Sequence, residues 1–160
     1  MAGLVNADED SAKITFPPPF LYLGVLLIGL LADWLLGLSL AVPLMARVAI
    51  LVVFLLAGAV LLLAAQTHFS RAGTEVKPWK TSNAIVSRGI YAVTRNPMYL
   101  GMTLIYLGLA IAFVSLSALV LLPLLLVAVQ TQVIAREERY LEAKFGDEYR
   151  AYKARVRRWL

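Results

Sequence analysis

Apolar residues fill four long runs of this chain, and almost every charge lies outside them. The runs cover roughly Phe20 to Leu40, Leu44 to Ala65, Met98 to Val114 and Leu116 to Ala135. Each approaches the ~20 mostly apolar residues that a bilayer-spanning helix needs. The last two form one uncharged stretch with Ser115 and Ser117 near its middle, which reads as two spans joined by almost no loop. At 1.5 Å per residue each arm reaches about 27 Å, close to the ~30 Å hydrocarbon core. The pattern predicts an all-α integral membrane protein with about four transmembrane helices in two hairpins, a cytoplasmic loop and an amphipathic C-terminal helix. As a single membrane domain over 1–160 it divides into a polar leader (1–16), a first hairpin (17–66), a loop (67–97), a second hairpin (98–135) and the C-terminal helix (136–160).

Composition sharpens this picture. A hydrophobic content of 61% and a mean hydropathy of +0.77 exclude an ordinary water-soluble domain. Asp8, Glu9 and Asp10 precede the first run, where a secretory signal would carry basic residues. Cysteine is absent, which removes disulfides, thiol catalysis and Cys-ligated metals. Basic residues concentrate in the loop (Arg71, Lys77, Lys80, Arg88, Arg95) and in the tail after Ala135, whereas the two short turns hold none until Arg47. The positive-inside rule then places both termini, the loop and any site they form in the cytoplasm. The pI of 9.7 reflects that topology and anionic lipid, not nucleic acid.

Candidate chemistry gathers at one membrane boundary. Arg95-Asn96-Pro97-Met98-Tyr99-Leu100-Gly101 opens the third run. Asn is a good N-cap and Pro is favoured at the first helical position, so the free N–H groups and positive dipole end of that helix, beside Arg95, suit a carboxylate or phosphate. Tyr99, Thr103 and Tyr106 share a face by helical spacing, and Gly101 permits close approach of a backbone or ligand. The fourth run ends in Arg136-Glu137-Glu138-Arg139. In the tail, Leu141, Phe145, Tyr149, Tyr152, Val156 and Trp159 recur at three- and four-residue steps. Glu138 projects into that apolar stripe and Glu137 onto its shoulder. A carboxylate on an apolar face needs a partner, and Arg95 or Arg88 is the expected one if the pair is structural. Asp33 sits in the first span beside Trp34. An intramembrane carboxylate is a functional candidate, though this one suits an interfacial place equally. His68, the lone histidine, reads as an interfacial residue near the end of the second span.

The combination Gly73-Thr74…Pro78…Gly89-x-Tyr91…Arg95-Asn96-Pro97-Met98-Tyr99-Leu100-Gly101…Glu137-Glu138-x-x-Leu141…Phe145-Gly146-x-x-Tyr149-x-x-Tyr152 resembles the isoprenylcysteine carboxyl methyltransferase family, which is related to the phospholipid N-methyltransferases. The resemblance covers roughly Gln66 to Leu160 and does not extend over the first two spans. It implies an S-adenosylmethionine-dependent methyltransferase with a lipid-like or prenylated acceptor entering from the bilayer. Carried over residue by residue, it makes Arg95, Asn96, Pro97, Tyr99, Gly101, Glu137 and Glu138 cofactor-binding, with Arg95, Tyr99 and Glu138 closest to catalysis. Many members have His where this chain has Asn96, so the resemblance implies no acid–base role there. Membrane sterol reductases, which bind NADPH, carry a similar arginine-proline-tyrosine-glycine element, but there Glu follows the glycine and here Met102 does. A non-enzymatic transporter-like module would place polar residues near mid-membrane, and the later spans place almost none.

Overall fold

The computed structural model describes residues 6–14 and 16–160, and its regular elements are all helical. Of the polar leader expected over 1–16, residues 1–5 and 15 lie outside the described residues. Helix α1 (Pro18–Leu36) starts on the run Pro17-Pro18-Pro19, where missing N–H groups cost nothing in a first turn. It stops at Gly37, whose φ of 66° lets its N–H return to the Asp33 carbonyl. Helix α2 (Leu44–Arg71) continues past the expected Ala65 and carries His68 on its last turn. Its 28 residues span about 42 Å. After a connector containing a 3₁₀ turn at Gly89–Ala92 come α3 (Pro97–Ala112) and α4 (Leu116–Ala128). A π-helical turn at Val129–Ile134 joins α4 to α5 (Ala135–Phe145), and α6 (Asp147–Arg155) follows.

Among the described residues, three helical stretches are long and apolar enough to cross a membrane: α1, α2 and the unbroken Leu116–Phe145. Helix α3, with 16 residues and about 24 Å, is shorter than that measure. The chain is a multi-pass membrane protein, with exposed Leu27, Leu31, Val53, Leu56, Val60 and Leu63 suited to lipid.

The predicted hairpins are not the packing units. Helix α2 packs mainly on α3 and α1 mainly on α4, while α1 and α2 share no substantial contact. Small residues decide these pairs. A Cβ on Gly101 would come within 2.9 Å of the Gly58 carbonyl, and one on Gly29 within 2.6 Å of the Ala118 backbone. Backbones this close are the usual way helices associate where lipid removes the hydrophobic driving force. Asp33 has a structural place. Buried at the far end of α1, it accepts from the Ser115 hydroxyl and, at 3.0 Å, from the Ser117 N–H, capping α4 from outside.

The single amphipathic helix expected over 136–160 is in fact two helices and an extended end. Gly146, at φ 54°, breaks it between α5 and α6, a conformation glycine adopts without strain. Upstream, the buried stripe of α4 runs through Ala118, Leu125, Val129 and Val133, then restarts one residue later at Ile134 and continues to Glu138. The π turn absorbs that one-residue slip and delivers Glu138 to the interior.

Candidate active site

The two polar clusters do meet. Helix α3 begins at Pro97 with Asn96 in the capping position, as expected, but the Asn96 side chain makes no capping bond. Its Nδ2 instead donates to the Arg158 carbonyl at 2.8 Å. The backbone N–H of Arg95 donates to the Arg157 carbonyl at 3.0 Å, and the Thr94 hydroxyl to that of Arg158 at 3.3 Å. The last residues thus lie across the entry to α3. Trp159 leaves the apolar stripe and donates through Nε1 to Gln130 Oε1 at 3.1 Å. The rest of the stripe holds, with Tyr149, Tyr152 and Val156 packed against Leu141, Phe145 and Ile85 of the connector.

Glu138 is buried and fully engaged. Arg95 Nη2 donates to its Oε1 at 2.8 Å, Arg158 Nε to the same oxygen at 3.0 Å, and Arg158 Nη2 to its Oε2 at 2.6 Å. Arg95 Nη1 donates to the Lys153 carbonyl at 2.9 Å. The pairing with Arg95 is as anticipated, while Arg88 takes no part and Arg158 was missed. At the basic end of a tail, 20 residues from Glu138, nothing in the sequence separates it from its solvent-facing neighbours. Two guanidiniums on one carboxylate leave a net positive charge, and Arg95 Nε is buried with no partner. An orphaned charged donor is expensive unless a ligand satisfies it.

Glu137 is different. Its Oε1 accepts from the Tyr99 hydroxyl at 2.7 Å, and among the described residues it forms no salt bridge. Thr103 and Tyr106, on the same face of α3 as Tyr99, point into the bundle. Tyr22 of α1 bonds the Thr103 hydroxyl at 3.1 Å and the Tyr99 carbonyl at 3.2 Å, and Tyr106 donates to the Ala118 carbonyl at 2.8 Å. Gly101 packs on α2 and lines neither cavity described below. His68 lies over Gly89, where a Cβ would fall 2.0 Å from its Nε2.

Two cavities meet at these residues. The larger, about 490 Å³, lies between α1, the end of α2 and α3, with apolar walls such as Leu23, Leu26, Leu62, Ile105 and Leu109. The smaller, about 90 Å³, lies beneath α5 and α6 and is lined by Ser82, Ile85, Glu138, Tyr140, Tyr149 and Tyr152 among others. Tyr91, Arg95, Asn96 and Glu137 border both, as do Phe69 and Lys77 of the α2 end and connector. Burial pushes the Tyr152 phenol up to about 12, and burial with the Glu137 carboxylate nearby pushes Tyr91 up as well. Both are therefore neutral at physiological pH, and Tyr152 donates to the Tyr91 carbonyl at 2.8 Å. The junction pairs a surplus cation and an unpaired carboxylate with aromatic walls. A zwitterionic, partly aromatic ligand fits that donor set. The small chamber alone is below the ~300–1,000 Å³ usual for ligand pockets, so such a ligand needs part of the larger space or a shift of the connector.

Comparison with known proteins gives this site a context. The family model described as phospholipid methyltransferase matches residues 45–148, which takes in Arg95 to Gly101 and both glutamates. A Haemophilus influenzae protein described as uncharacterized is 55% identical over 64 residues, 39% of this chain and all of that protein. The protein-S-isoprenylcysteine O-methyltransferase of Schizosaccharomyces pombe is 36% identical over 72 residues, 45% of this chain but only 30% of that protein. No solved structure matches the chain. With a match over more than half its length, the chain belongs to the phospholipid methyltransferase family.

Proposed function

We propose that this protein is an S-adenosylmethionine-dependent methyltransferase acting on a lipid-like or prenylated acceptor. The observation that carries the reading is the pair of adjoining cavities, one holding both glutamates among aromatic rings and one with long apolar walls, whose shared border includes Tyr91, Arg95, Asn96 and Glu137. A reaction between a polar donor and a membrane-dissolved acceptor needs that division. S-adenosylmethionine, when bound, supplies an electrophilic methyl group on a sulfonium.

The chain's own residues do the rest. Arg95, with its unsatisfied Nε and its place just before the start of α3, is suited to the amino-acid carboxylate of the donor. Glu137 is suited to an ammonium or a ribose hydroxyl, and Tyr99 orients it. Asn96 and Pro97 hold the wall between the cavities, and Glu138 anchors Arg95. The aromatic and apolar lining from Phe69, Ile85 and Tyr149 suits an adenine. Gly101 contributes by letting α3 seat on α2. Alignment and exclusion of water in such a site can supply up to ~7–11 kcal/mol of barrier lowering. A carboxylate acceptor requires no base. For an amine acceptor, Glu137 is the carboxylate at the cavity junction placed to take the proton. The excess of Lys and Arg in 67–97 and 136–160 orients this site, and both termini, toward the cytoplasm.

Calorimetric titration of the detergent-purified protein with S-adenosylhomocysteine, with NADPH in parallel, tests the reading. Micromolar binding of the first alone is expected. Binding of NADPH alone, or of neither, would overturn it.

A further inference from the structure

The two ends of the site lie outside the matched family region, and one of them, the C-terminal segment after residue 148, reaches furthest into it. Beyond α6 the backbone turns extended at Val156 (φ −120°, ψ 132°) and is tied to the entry of α3 through Thr94, Arg95 and Asn96. These are three consecutive residues, two of them in the proposed cofactor site. The tail brings in one charge that touches the site's ionic centre. Arg158 takes both oxygens of Glu138, in the two-pronged geometry that suits guanidinium and carboxylate.

Without Arg158, Arg95 and Glu138 would form a closed one-to-one pair of zero net charge. With it, the centre has two cations and one anion, and Arg95 retains a buried N–H with no partner. We propose that Arg158 is a positioning residue of the site: by occupying Glu138 from the outside it leaves Arg95 with uncompensated charge for the anionic group of the ligand. The segment Val156–Leu160 is then part of the binding site and not a membrane anchor. This rests on the cofactor reading above.

The test is calorimetric binding of S-adenosylhomocysteine to the full-length protein in detergent, for wild type, Arg158→Gln, Arg158→Lys and the double variant Glu138→Gln/Arg158→Gln. Size-exclusion profile and far-UV circular dichroism check each fold. Arg158→Gln should weaken binding ~10-fold or more, because Glu138 then neutralises Arg95 and the ligand's anionic group loses a charge-assisted hydrogen bond. Arg158→Lys keeps the charge without the fork and should recover part of the loss. The double variant should bind better than Arg158→Gln, because Arg95 is no longer neutralised. A tail that served only as packing would give no such rescue. Wild-type affinity in folded Arg158→Gln, or a folded double variant no better than the single one, would overturn the inference while leaving the cofactor reading intact. If Arg158→Gln does not fold, Arg158→Lys and the uncharged, near-isosteric double variant decide: either of them, folded but binding nothing, overturns it. Absence of binding by the wild type overturns both.

Discussion

Neighbouring glutamates with opposite roles can be separated by one pair of variants. Removing the Glu138 carboxylate strands two guanidiniums, and the Arg95 side chain is only 9% exposed. Breaking a buried ion pair by deleting one partner costs about 3–5 kcal/mol. Arg158, at 35% exposure, regains some hydration, which sets the expectation for Glu138→Ala near ~3 kcal/mol. Glu137→Ala loses a single hydrogen bond from Tyr99, and it also relieves the cost of holding a carboxylate without a cation. The net is about 1 kcal/mol or less. The two variants should therefore differ by roughly 2 kcal/mol in unfolding free energy. Titration with sodium dodecyl sulfate followed by circular dichroism, in mixed micelles, reads that difference. Binding should follow the opposite logic: a Glu137→Ala protein that is fully folded should bind S-adenosylhomocysteine at least tenfold more weakly. Equal unfolding curves for the two variants would refute the assignment of Glu138 as the anchor of Arg95. Undiminished binding by Glu137→Ala would refute the ligand role of Glu137.

Gly101→Ala places a Cβ 2.9 Å from the Gly58 carbonyl and 3.2 Å from Leu62 Cγ, so it should cost about 1–3 kcal/mol by forcing α2 and α3 apart. Folded Gly101→Ala protein should keep its ligand affinity, and a loss of affinity without a loss of stability would make Gly101 a cofactor contact. Asp33→Ala removes the acceptor for Ser115 and Ser117 and should destabilise by about 0.5–2 kcal/mol, as loss of a helix cap does, with no change in ligand binding. Leu26→Trp fills the apolar cavity from α1. It should lower transfer of labelled methyl into the chloroform-soluble fraction of membranes and leave S-adenosylhomocysteine affinity alone, whereas unchanged incorporation would remove α1 from the acceptor's path.

Much of the architecture was legible because bilayer physics is coarse. Runs of ~20 apolar residues announce helices, and Asn96-Pro97 announces where α3 begins. The partners of those helices were not legible. Helices that are apolar all round carry no stripe to say which face packs, and close glycine contacts, Gly29 on Ala118 and Gly58 on Gly101, decided what hydropathy could not. The break at Gly146 did leave a signal, a glycine followed by Asp147 within an otherwise periodic run, which the continuity of the apolar stripe outweighed. The Asn96 side chain turned from its own helix to the Arg158 carbonyl because a tail distant in sequence offers a better-placed acceptor. The π turn that brings Glu138 inward has no local sequence signature in Val129–Ile134. Its trace is the pair of adjacent buried residues Val133 and Ile134, visible only once burial is known.

The distribution of parts bears on what family membership can say about this chain. The matched region, 45–148, holds Tyr91, Arg95, Asn96, Glu137 and most of the polar chamber. Two elements outside it complete the site. The tail places Arg158 on Glu138, and α1 supplies Pro18, Tyr22, Leu23 and Leu26 to one wall of the apolar cavity. Helix α1 rests on α4 and α3 but barely touches α2, and of these wall residues Tyr22 is the one hydrogen-bonded to α3, at Tyr99 and Thr103, so Leu23 and Leu26 can be varied without breaking a hydrogen bond to the α2–α3 pair. On the proposed methyltransferase reading, a scaffold built this way would separate the transfer chemistry from the choice of acceptor. On that reading the first would belong to the shared region, and the second to the side chains that α1 presents to the apolar cavity. The acceptor should therefore be sought by varying α1 at Leu23 and Leu26, with Tyr22 and α3 left untouched.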